Sequence, residues 1–200
     1  MVDWGQIDTV LLDMDGTLLD LHFDNYFWLQ HLPLRYAEKH RLHPQTALDR
    51  LTAEFKRHEG SLNWYCLDFW SQALELDIPE LKQEVKHKIR FRPNVQDFLE
   101  RLQQSGKDAF IVTNAHRDSI ALKLHTTGLD RWVKRIICSH DLALPKENPA
   151  FWDKLQQQQP FDKATTLLVD DSLPVLQSAR QYGIRYLLTI LQPDSHQPKR

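Results

Sequence analysis

Two hundred residues, 42% hydrophobic and 26% charged, suffice for one domain or a domain with a modest insertion, and they exclude wholesale disorder. The balance of 25 basic against 27 acidic side chains, a net charge of -2, argues against a generic binder of nucleic-acid polymers. Two cysteines, Cys66 and Cys138, are too few for a disulfide framework or a thiolate zinc site and read as ordinary buried thiols.

The first strand-like run is Val10-Leu11-Leu12. Residues 21–91 then break the pattern, reading as about four short helices without a strand. Pro44 to His58 carries Ala47, Leu48, Leu51 and Phe55 at helical spacing, as Leu62 to Leu74 carries Leu62, Cys66, Phe69 and Trp70. Pro79 to Ile89 follows with Leu81, Val85 and Ile89. The basic side chains Lys82, Lys86, Lys88, Arg90 and Arg92, interrupted by Glu84, read as a solvated face rather than a phosphate-steering patch. From Pro93 onward strand and helix alternate. A helix from Pro93 to Gln104 has Pro93 in its first turn, and Phe110-Ile111-Val112 is the second strand run. After a helix from Asp118 to Thr127 come Ile136-Ile137-Cys138, then a helix capped by Asn148. Leu167-Leu168-Val169, a helix from Ser172 to Tyr182 and a final run from Ile184 to Ile190 complete the order. Continuous apolar runs suit strands buried on both faces of a parallel sheet. The expected fold is therefore α/β, a doubly wound and mainly parallel sheet. Residues 1–20 and 92–200 would form its core, and 21–91 an all-helical cap inserted after the first strand, on hinges near 19–21 and 91–93.

Chemistry concentrates where the strand runs end. Val10-Leu11-Leu12 stops in Asp13-Met14-Asp15-Gly16-Thr17, two carboxylates one residue apart and then a glycine. Taken alone, this pair also suits a simple turn cap. Three further strand ends add Thr113-Asn114, Lys146, and Asp170-Asp171-Ser172. Carboxylates at 4 Å repel by about 4 kcal/mol per pair at an effective dielectric near 20. Four of them in one crevice call for a cation, and oxygen-only donors suit Mg²⁺. None of the ten histidines falls in a recognisable zinc-ligand pattern.

In order, these four segments resemble the motifs of the haloacid dehalogenase-like hydrolase superfamily, from residue 8 to about 190. The resemblance implies a phosphoaspartyl mechanism. Asp13 would be nucleophile and metal ligand; Asp15 would serve as general acid and base, with its backbone carbonyl on Mg²⁺. Thr113 and the N–H groups of Met14, Asp15 and Asn114 would hold the phosphoryl oxygens, and Lys146 would offset the charge. Asp171 would bind the metal, with Asp170 acting directly or through water. A second aspartate at Asp15 disfavours the dehalogenases and the transport ATPases of this superfamily, while phosphomutases and small-metabolite phosphatases stay open.

Within the superfamily, Leu18-Leu19-Asp20-Leu21, Phe23 to Trp28, Leu62 to Trp70, Thr113-Asn114-Ala115-His116, Pro145-Lys146-Glu147 and Tyr182 to Tyr186 look like the bacterial GMP/IMP nucleotidases. That family is expected to continue beyond this chain's Pro/Lys/Arg tail. The likeness implies a purine nucleoside monophosphate as substrate. Sugar phosphates or phosphoglycolate are the alternative, and a non-enzymatic binding module is disfavoured because neither catalytic aspartate is missing. Asn25, Tyr26, Asn63 and Tyr65 are candidates for base or ribose contacts, although most cap aromatics would simply fill its core. His116 could either approach the substrate or face solvent. The N-terminal stretch has no basic-then-apolar leader, and no apolar run approaches the ~20 residues of a membrane span. A cytoplasmic protein without a membrane partner is expected.

Overall fold

A computed structural model describes residues 2–199. Five parallel strands form one sheet: β1 (Thr9–Leu12), β2 (Asp108–Thr113), β3 (Arg135–Cys138), β4 (Thr166–Asp170) and β5 (Tyr186–Thr189), in the order β3-β2-β1-β4-β5. Successive side chains of a strand point to opposite faces, so each continuous apolar run feeds two cores. Val10, Leu12, Ile111, Leu167 and Val169 enter one apolar cluster. Leu11, Phe110, Val112 and Leu168 enter the other, against Phe151, Trp152, Val175 and Ala179 of the helices Pro149–Gln158 and Leu173–Tyr182. Asn148 caps the first of these helices, its side chain accepting the Ala150 N–H. The chain leaves β1 on one side towards β2 and β3, and on the other side lie β4 and β5. That reversal at β1 opens a crevice at the carboxyl ends of β1, β2 and β4, where doubly wound folds bind ligands.

Between β1 and β2 the described residues form helices and no further strand. The apolar cluster on the first sheet face runs on into them through Phe23, Phe27, Leu51, Trp70 and Leu74. Where the chain leaves and re-enters the sheet, its two passages are stitched together. Leu19 bridges Phe91, the Asp20 N–H donates to the Arg90 carbonyl, and the Arg92 N–H donates to the Leu18 carbonyl.

Several local expectations need correction. The predicted helix 62–74 is two helices, Leu62–Tyr65 and Leu67–Leu74, because Cys66 is extended and its Sγ accepts the Phe69 N–H. The predicted helix 79–89 stops as Ile78–Glu84, and a separate 3-10 turn covers Lys86–Lys88. Pro93 lies before the helix and not in its first turn: Asn94 occupies the left-handed region (φ 64°), and Val95–Gln104 begins after it. Cys66 is only half-buried, unlike Cys138. The basic run is not a uniformly solvated face either. Lys82 is buried, and the Arg92 guanidinium donates to the backbone carbonyls of Thr17 and Gln192.

Candidate active site

The crevice gathers side chains from four strand ends. Asp13 follows β1 directly, with its N–H donating to the Val169 carbonyl of β4. The turn after it depends on Gly16, which sits at φ +82°. A Cβ there would lie 2.9 Å from the Asp171 Cγ and from Pro193, so only glycine fits. Lys146 reaches in from the loop after β3, and its buried Nζ donates to Asp13 Oδ1 at 2.6 Å, Asp170 Oδ2 at 2.7 Å and the Val112 carbonyl at 3.0 Å. Burial opposes that charge, but the Asp13 and Asp170 carboxylates outweigh it and hold the ammonium above its ordinary value. The second oxygen of Asp170 accepts the Ser172 N–H.

Asp13 is pushed up to about 6, chiefly by burial, with Asp170 adding repulsion and Lys146 opposing both. Its Oδ2 is buried and accepts no hydrogen bond. Oxygens of Asp13, Asp170 and Asp171 lie within 4.8 Å of one another. Three converging carboxylates, with oxygen as the only donor type, are what a hard divalent cation would satisfy, so this donor set fits Mg²⁺. Thr113 ends β2 and takes the Ala115 N–H on its hydroxyl. Asn114 accepts the Lys146 N–H and donates to Glu147, whose other oxygen receives the Tyr65 hydroxyl at 2.5 Å. Met14 is fully buried, its carbonyl closing the turn by accepting the N–H groups of Leu18 and Leu19.

Asp15 belongs to a buried chain of charges that the sequence reading missed. Lys123 Nζ lies 2.6 Å from Asp15 and 2.7 Å from Asp24, which also takes Lys82 Nζ at 2.7 Å. Burial pushes Asp15 up to about 6, against the pull of Lys123. Burial would raise Asp24 too, but there Lys123 and Lys82 win and draw it down to about 2. Lys82 itself is lowered, since burial outweighs its pairing with Asp24. A signal was available: Lys123 stands three residues after Ile120 and four after Ser119, on the buried side of the helix Arg117–Thr127.

A cavity of about 820 Å³ opens over the carboxylates. It is lined by Asp13, Asp15, Thr113, Asn114 and Lys146 below, and by Trp28, Phe55, Trp64, Tyr65 and Trp70 from the helices between β1 and β2. Of the four proposed base or ribose contacts, Asn25 and Tyr65 line this cavity. The Asn25 amide, however, already donates to Asp194 at 2.7 Å. Tyr26 and Asn63 are outside it. Tyr26 lies under Lys88 Nζ, 3.9 Å from its ring centre, and Asn63 is exposed on a four-residue helix. His116 does line the cavity, between the carboxylates of Asp68 and Asp118.

The sequence profile of the haloacid dehalogenase-like hydrolases matches residues 10–189. The chain belongs to that family. It is thus an enzyme, a hydrolase. It is 41% identical over 194 residues to the GMP/IMP nucleotidase YrfG of Escherichia coli K12, covering 97% of this chain and 87% of that protein. The same figures hold for YrfG of Shigella flexneri. Among solved structures, a HAD phosphatase from Thermococcus onnurineus superposes with a TM-score of 0.80 at 24% identity, over 96% of this chain and 91% of that one. The HAD-hydrolase YfnB from Bacillus subtilis, bound to magnesium, gives 0.62 at 20% identity, over 97% and 90%. These structures bear on the fold alone, and they agree with the α/β reading. Among the described residues, no helix is long and apolar enough to cross a membrane.

Proposed function

We propose that this hydrolase is a Mg²⁺-dependent phosphomonoesterase of the cytoplasm, a 5′-nucleotidase acting on purine monophosphates such as GMP and IMP. The observation that carries this reading is the buried, unpartnered Asp13 Oδ2 beside Lys146, at the floor of a cavity walled by aromatic rings. The likeness to YrfG supports the choice of substrate.

Asp13 Oδ2 attacks phosphorus as the bond to the leaving nucleoside oxygen breaks, giving an aspartyl phosphate. Asp15 carries a proton to that leaving oxygen, then takes one from the water that hydrolyses the intermediate. Lys123 keeps the Asp15 carboxyl in place. Lys146, fixed by Asp170 and Val112, offsets charge on the nucleophile and the phosphoryl group, while Thr113 and the N–H groups of Met14, Asp15 and Asn114 receive the phosphoryl oxygens. Asp13, Asp171 and the Asp15 carbonyl would hold Mg²⁺, with Asp170, which Lys146 and Ser172 hold in place, acting directly or through water. The ion, when bound, neutralises charge developing on the phosphoryl oxygens. Residues 21–91 act as a cap that covers the nucleoside, and the remainder, 1–20 and 92–200, as the catalytic core. Glu147, tied to both Asn114 and Tyr65, links the two.

Two measurements test this reading. Excess chelator should silence phosphate release and Mg²⁺ should restore it, and Asp171→Ala should need at least about tenfold more Mg²⁺. Full activity in chelator would remove the ion from the mechanism. In a substrate screen, GMP and IMP should exceed CMP, UMP and sugar phosphates in kcat/KM. Mispaired polar groups cost about 1–3 kcal/mol each, so the margin should be about tenfold or more. Asn63→Ala should leave that margin unchanged, since Asn63 faces away from the cavity. If sugar phosphates or phosphoglycolate outrun every nucleotide, the chain is a broader small-metabolite phosphatase.

A further inference from the structure

A second group of donor atoms lies apart from the aspartates. The Cys66 Sγ, a ring nitrogen of His116 and a ring nitrogen of His140 all fall within 4.8 Å of one another. They arrive from three separate segments. Cys66 joins the helices Leu62–Tyr65 and Leu67–Leu74, His116 follows β2, and His140 lies in the helical turn Ser139–Leu142 after β3. Two nitrogens here, His116 Nδ1 and His140 Nε2, are buried and make no hydrogen bond. Buried polar nitrogens are nearly always satisfied, so the orphan His140 Nε2, beside a thiol and a second imidazole, points to an unrecorded partner.

The chemistry of the donors narrows that partner. One sulfur and two imidazoles are the ligands of zinc-like ions, whereas Mg²⁺ takes oxygen. Bond lengths of about 2.3 Å to sulfur and about 2.0–2.1 Å to nitrogen place these tetrahedral ligands roughly 3.3–3.6 Å apart. Each pair therefore needs to close by no more than about 1.5 Å, within the reach of side-chain rotation. His116 is also flanked on both sides, with Nε2 3.5 Å from the Asp68 carboxylate and Nδ1 3.5 Å from the Asp118 carboxylate. Whichever nitrogen takes a metal, the other has a carboxylate to orient the ring, as ligating histidines usually do. The sulfur is itself unusual as a helix cap, since serine or aspartate accepts the first-turn N–H better.

We propose that Cys66, His116 and His140 bind a zinc-type divalent ion, at a site separate from the Asp13, Asp170 and Asp171 cluster. Three protein ligands leave a fourth position for water. Such an ion clasps the segment carrying Cys66 to the strand ends carrying the histidines, beside the cavity that His116 lines.

The test uses the untagged full chain, stripped of metal and titrated with Co²⁺ under excess Mg²⁺ in a thiol-free reductant. One equivalent of Co²⁺ should bring visible bands of a tetrahedral ion and a near-ultraviolet thiolate-to-cobalt band, and Zn²⁺ should abolish both. Cys66→Ser, which keeps a capping oxygen, should lose the thiolate band. His140→Gln should weaken binding at least about tenfold. Asp171→Ala should keep the full spectrum. A thiolate band that survives Cys66→Ser assigns the ion to Cys138 and overturns the proposal. So does unchanged affinity in His140→Gln, which would leave only a lone reactive thiol, and so does absence of the band in the wild-type chain.

Discussion

Asp13→Asn is expected to lower kcat by at least about 10⁴-fold while the protein still folds. The amide has no carboxylate oxygen to offer phosphorus, so the covalent route is lost. Lys146 leaves that oxygen little competition, because it engages Asp13 through Oδ1 and leaves Oδ2 free. The substitution should be tolerated because burial already disfavours the charged carboxylate, pushing Asp13 up to about 6. Lys146 also keeps Asp170 and the Val112 carbonyl as partners. Thermal unfolding should thus shift by only a few degrees, which corresponds to about 1 kcal/mol in a domain of this size. Phosphate release measured beside a melting curve separates chemistry from folding. Near-normal turnover in a folded variant would end the phosphoaspartyl reading.

The carboxylates at the strand ends could be read from sequence because a parallel strand buried on both faces is a continuous apolar run, and its end is abrupt. Val10-Leu11-Leu12 before Asp13 and Leu167-Leu168-Val169 before Asp170 show that edge clearly. What the periodicity could not show is rotation about short helices. Tyr26 and Asn63 were plausible contacts by neighbourhood, yet each residue turns a helix by about 100°, and a four-residue helix gives too few positions to fix its face. Buried charge was hidden for another reason. Lysine is almost always solvated, so Lys82 and Lys123 look like surface residues until their partners are known. Asp24 lies 58 residues from one and 99 from the other. Only the fold brings the three together.

That buried chain supplies the second large effect expected. Lys82, Asp24, Lys123 and Asp15 alternate in sign at 2.6–2.7 Å spacings, and both lysines are about 1% exposed. Lys82 further rests over the Phe27 ring at 4.6 Å. Asp24→Asn removes the anion shared by two buried ammonium groups, and breaking a buried pair in this way costs about 3–5 kcal/mol. Removing Lys82 together with Asp24 takes out one charge of each sign and leaves the Lys123–Asp15 pair whole. The double variant Asp24→Asn, Lys82→Met should therefore be more stable than Asp24→Asn alone, with a coupling of about 1 kcal/mol or more in denaturant unfolding. The pH dependence follows from Asp24 being drawn down from 3.8 to about 2. A carboxyl lowered in the folded state stabilises it fully above the unfolded value and loses that contribution as pH falls through the folded one. The gap between wild type and Asp24→Asn should accordingly hold from pH 7 to about 4 and close only towards pH 2. Lys123 also holds Asp15, so kcat of Asp24→Asn should fall as the ammonium shifts towards its one remaining anion. Additive stabilities in the double variant, or a gap that closes by pH 6, would mean these four charges do not act as a unit.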